Sequence, residues 1–105
     1  MWNPPSPDLL KQVPRLRATE HIAAKEKVIH LHFFIGGCDW YVAEYDGEDL
    51  FFGYVVLNED MENSEWGYFT LSELEDINIR GLEIDHDLYW KPVTAGEIAR
   101  IKDWL

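Results

Sequence analysis

Residues 28–57 read VIHLHFFIGGCDWYVAEYDGEDLFFGYVVL, and the period of this stretch decides the fold class. Ile29, Leu31, Phe33 and Ile35 alternate with Val28, His30, His32 and Phe34, the spacing of a half-buried strand whose second face carries two histidines. Gly36-Gly37 breaks the run. Trp40–Tyr45 predicts a second strand, Asp46-Gly47-Glu48-Asp49 a turn, and Leu50–Leu57 a third strand of aromatic and branched residues. Short turns between strands require antiparallel pairing.

Outward from this core, Asn58–Ser64 has no apolar pattern and reads as a loop before a fourth strand, Glu65–Phe69. Thr70-Leu71-Ser72-Glu73 has the form of a capping box, which predicts a helix to about Ile77. Gly81 resets the chain. Leu82, Ile84, His86, Leu88 and Trp90 then alternate with Glu83, Asp85, Asp87 and Tyr89, which predicts a fifth strand ended by Pro92. Thr94-Ala95-Gly96-Glu97 forms a second capping box, and Ile98, Ile101, Trp104 and Leu105 follow at helical spacing, predicting a C-terminal helix. Toward the N-terminus, Ser6-Pro7-Asp8-Leu9 starts a short helix from Pro7 to about Val13, with Ser6 as cap and Pro7 at its first position. Residues 15–27 have few apolar anchors and read as an irregular linker. The expectation is one α+β domain over residues 1–105, with a mainly antiparallel sheet of about five strands, short helices near each end and one helix before the last strand.

The chain of 105 residues carries 20 acidic and 9 basic side chains, a net charge of -11. That balance argues against direct nucleic-acid binding, which needs a surplus of Lys and Arg. Residues 28–87 hold fifteen acids against Arg80 alone, or -14, while the flanks hold five acids against eight bases, or +3. Such asymmetry points to an interaction surface or to flanks folded back onto the body. One cysteine, Cys38, permits no internal disulfide and no CxxC half-site, so a reducing, cytoplasmic setting is expected. No segment has the length or apolar character of a membrane span or a signal peptide.

Several side chains are candidates for chemistry. His30 and His32, about 6.7 Å apart along a strand, could share a metal with Glu44, Asp46 or Cys38 as third ligand. The competing account is a wet sheet face with histidines paired to carboxylates. Cys38 lies in a glycine turn among acids, which disfavours a thiolate nucleophile. His86, on the apolar side of its strand, reads as a buried structural histidine. The loop acids Glu59, Asp60, Glu62 and Glu65 do not match an EF-hand. Glu83, Asp85 and Asp87 form a predicted ladder spaced like successive phosphates, extended by Asp46, Glu48 and Asp49. This array either imitates DNA or keeps a sheet surface from aggregating. The five tryptophans suit core packing and a protein interface better than base stacking, since Trp40, Trp66 and Trp90 sit in the acidic body. No GxGxxG, P-loop, HExxH or GxSxG motif occurs.

The blocks MWNPP (1–5), HLHFFIGGCDWY (30–41), EYDGEDLFFG (44–53), EWGY (65–68) and WKP (90–92) together resemble the bacterial and phage family catalogued as domain of unknown function 2958. The resemblance implies association with plasmids, phages and integrative elements and carries over no catalytic residue. The expected function is a non-enzymatic acidic protein-binding domain that mimics nucleic-acid charge toward a basic partner, with DNA-handling proteins among the candidates. Its binding surface would be Glu44, Asp46, Glu48, Asp49, Glu59, Asp60, Glu62, Glu83, Asp85 and Asp87. No cofactor is expected. The alternative is a small metal-binding module or metal-dependent enzyme built on His30 and His32.

Overall fold

The computed structural model describes residues 1–105. Ser6 caps α1 (Pro7–Lys11), its hydroxyl accepting the Leu9 amide. An irregular stretch with a 3₁₀ turn at Ala24–Glu26 then leads to β1 (Val28–Ile29) and β2 (Leu31–Ile35). The expected first strand is thus split at His30, whose amide donates to the Val42 carbonyl at 2.8 Å. The split has a packing reason: Ile29 and Leu31 fall into different buried clusters, so the alternation changes phase between them.

Next come β3 (Cys38–Tyr45), β4 (Leu50–Val56) and β5 (Glu65–Thr70), followed by α2 (Leu71–Glu75). The capping threonine is in place, Thr70 Oγ1 accepting the Glu73 amide at 3.1 Å. The predicted strand over 82–90 is corrected. Its alternation is divided among β7 (Leu82–Glu83), which pairs in a tight hairpin with β6 (Asn78–Ile79), and β8 (Asp85–His86), with a turn over 88–89. The partners differ: β7 has only the hairpin, whereas β8 joins the main sheet through Phe33 and Phe34.

A short β9 (Val93–Thr94) pairs with β1. The C-terminal helix is also corrected: a 3₁₀ turn at Ala95–Glu97 and successive turns follow, and Thr94 makes no side-chain cap. Ile98 and Ile101 are three residues apart, a spacing that 3₁₀-like turns satisfy as well as a helix.

The main sheet is antiparallel, ordered β5-β4-β3-β2-β8. A bulge at Ala43 separates Val42, opposite Gly53, from Glu44, opposite Phe52. Gly53 lets these strands approach, since a Cβ there would lie 1.9 Å from the Tyr41 carbonyl oxygen. Both faces of the sheet are covered. On one, Leu31, Phe33, Val42 and Phe51 pack beneath α1, α2 and Ile84; on the other, Tyr41, Tyr54 and Val56 pack beneath Ala95, Ile101 and Trp90. The two edges differ. Trp2 closes the β8 side, its amide donating to Ile84 O at 2.8 Å and its carbonyl accepting the His86 amide at 3.1 Å. On the β5 side no further segment pairs. No helix is long and apolar enough to cross a membrane.

Candidate functional site

Of the acids in residues 28–87, eight have internal polar partners. Asp46 closes the β3–β4 turn by accepting the amides of Glu48, Asp49 and Leu50 at 2.7–3.0 Å. These bonds, the first two foremost, hold its carboxyl below the ordinary carboxylate range. Asp49 accepts the Ser72 amide and hydroxyl, tying that turn to α2. Asp60 caps the 3₁₀ turn Met61–Asn63.

Glu44 is buried, accepting the amides of Arg17 and Thr19 and the Thr19 hydroxyl. The buried Lys27 ammonium donates to the Thr19 carbonyl and hydroxyl, so Thr19 links the two charges. The basic flank therefore folds onto the acidic body, and residues 15–27 supply the closure. Arg100 does the same from the other end, its Nε 2.8 Å from Asp39 Oδ2.

The expected ladder is not a free row of charge. Glu83 pairs with the Met1 amine, Asp85 accepts from Asn3 Nδ2 at 2.9 Å, and Asp87 lies 3.4 Å from His32 Nδ1 while capping the Tyr89 amide.

His32 is held on both nitrogens, with Asp39 Oδ1 at 2.7 Å from Nε2. Its ring stacks on Tyr41 at a centroid distance of 4.7 Å. Burial first, then the Asp39 charge, pushes the Tyr41 phenol far above its ordinary range, so this ring stays neutral. His30 is half-buried, which lowers its pKa. The Cys38 sulfur accepts the Asn58 amide at 3.3 Å and fixes the loop after β4. His86 is buried and bonds through Nδ1 to the Asn3 carbonyl at 3.0 Å. The structure does not bring His30, His32 and Cys38 together, and no group of three or more His, Cys, Asp or Glu side chains is arranged to hold a metal ion.

Seven acids of the same tract are exposed and have no polar side-chain partner: Glu48, Glu59, Glu62, Glu65, Glu73, Glu75 and Asp76. Three of them, Glu48, Glu59 and Glu62, belong to the surface expected from the sequence. Along the β4–β5 ladder they fall into two groups. Glu59, Glu62 and Glu65 lie at the end where Val55 faces Glu65; Glu48, Glu73, Glu75 and Asp76 lie at the end where Leu50 faces Thr70. Between them runs a ladder of six residue pairs, about 17 Å long.

Two clefts flank β5. One, of about 310 Å³, is lined by Arg17, Glu20, Lys27, Glu44, Phe52 and Tyr68. The other, of about 370 Å³, includes Val55, Leu57, Asp60, Glu65, Gly67 and Tyr68 in its wall. Phe52 packs against Trp66 and Tyr68, and Tyr68 is 62 % exposed. Sequence reasoning missed Arg17, Thr19, Lys27, Phe52 and Tyr68; the one signal for the first three was the positive flank opposed to the negative body.

A family model described as "Protein of unknown function (DUF2958)" matches residues 7–100. No curated protein and no solved structure matches the chain.

Proposed function

The chain belongs to the DUF2958 family, and from that premise we propose that it is a non-enzymatic docking domain whose β4–β5 side engages a basic protein. The observation that carries this reading is the set of seven exposed carboxylates without internal partners, grouped at the two ends of one ladder. Carboxylates already bound to backbone amides or to a histidine have spent much of their capacity. The unpartnered ones retain their field in solvent and can steer a positive surface toward the domain.

DNA-handling proteins are one class with such a surface. The charge that would address them lies around β4, β5 and α2, rather than on Glu83, Asp85 and Asp87. Because surface fields are screened within about 8 Å at physiological ionic strength, association should weaken steeply as salt rises.

The test is affinity capture from the native host at low and at high salt, using the natural chain and a Glu59→Gln/Glu62→Gln/Glu65→Gln variant. A basic partner retained at low salt, released at high salt and lost by the variant is the expected result. Equal retention at high salt, or by the variant, would overturn the reading.

A further inference from the structure

We propose that the free edge of β5 accepts an extended segment of the partner as a sixth strand, and that this segment alternates basic and apolar residues. The inference rests on the acidic docking surface above and specifies what docks there.

The sheet has one closed edge and one open edge. Trp2 occupies the outer side of β8, whereas no hydrogen bond outside the β4–β5 ladder engages a backbone amide or carbonyl of residues 65–69. In an antiparallel edge strand, alternate residues turn both backbone groups away from the sheet, a row of donors and acceptors suited to another strand. The usual devices that blunt such an edge are scarce on β5. The strand EWGYFT has no proline, its register with β4 is unbroken over six pairs, and Glu65 is its only charge.

The side-chain surroundings specify the incoming strand. Tyr68 lines both clefts, so they meet at the β5 edge. Successive side chains of an added strand point to opposite faces of the sheet, and would enter the two clefts in turn. The cleft holding Asp60 and Glu65 suits Lys or Arg. The other already contains Arg17 and Lys27 beside Glu20 and Glu44, and offers the Phe52 and Tyr68 rings to an apolar side chain.

Charge argues against a second copy as occupant. Antiparallel pairing of two β5 strands would bring the Glu62–Glu65 end of one near Glu73 of the other, between chains that each carry -11.

The probe is a six-residue peptide of alternating lysine and valine, with two isomers N-methylated at all lysine or at all valine amides. All three carry the same charge, but each methylated isomer can hydrogen-bond along only one edge. Binding is followed by titration at low salt and by amide hydrogen exchange. The expected result is that the plain peptide binds and slows exchange within residues 65–70, and that one methylated isomer binds about tenfold more weakly than the other. Gly67→Arg should weaken the plain peptide to a similar degree. Gly67 does not have positive φ, and a Cβ there meets nothing within 4 Å, so this variant keeps the fold while placing a cation in the acidic cleft.

Equal, salt-sensitive binding of all three peptides would overturn strand addition and leave the acidic docking surface standing. No binding by any of them would overturn both. A dimer of the chain alone, with residues 65–70 already protected, would also overturn the proposal.

Discussion

His86 shows how one buried side chain ties stability to pH. Burial lowers its pKa from 6.5, opposed by the Asn3 carbonyl and by Asp87 and Asp85, and reinforced by His32. His30 is lowered from 6.5 by burial as well. Since both folded values lie below the unfolded one, the unfolded chain takes up protons first on acidification. The stability these rings contribute as neutral groups is complete above pH 6.5 and is lost as pH falls through their folded values. Urea denaturation at neutral pH and at about pH 5 should therefore show a loss that His86→Gln reduces. An unchanged slope in that variant would place the pH dependence elsewhere.

At the scale of elements, the β3–β4 hairpin depends on Asp46, whose carboxylate gathers three amides of its turn. Asp46→Ala is expected to lower the urea midpoint at neutral pH. Because the folded carboxyl lies below its ordinary value of 3.8, the difference from the natural chain should shrink as pH falls through that lowered range. This hairpin was legible in the sequence because its information is local: alternation on both strands and turn chemistry between them. The run from Leu82 to Trp90 alternates as regularly, yet it forms no single strand. Alternation states which side chains share a face, whereas partners distant in sequence decide where pairing stops. The C-terminal turns escaped for a related reason. Ala95 and Ile101 are fixed by burial against the sheet, and the helix suggested by local spacing is replaced by turns that achieve the same burial. The fate of the acids was still less legible, since nothing near Glu44 in sequence announces Thr19 or Lys27. Nor does the sequence around Asp85 announce Asn3.

The whole molecule carries a net charge of -11, because the flanks offset only part of the negative charge of the body. Self-repulsion among the remaining carboxylates opposes the compact state and is screened by salt. The thermal midpoint should rise when sodium chloride is increased from low to physiological concentration, the same change that weakens capture of a basic partner. A midpoint that fell would mean that internal pairs such as Arg100 with Asp39 outweigh the repulsion.

The unequal sheet edges also bear on stoichiometry. A strand that seats on β5 finds the far side of the sheet already terminated by Trp2. Copies of the chain therefore cannot stack β5 on β8 head to tail through this sheet, and the chain itself holds a single guest segment, since any later strand would have to pair with the outer edge of the guest.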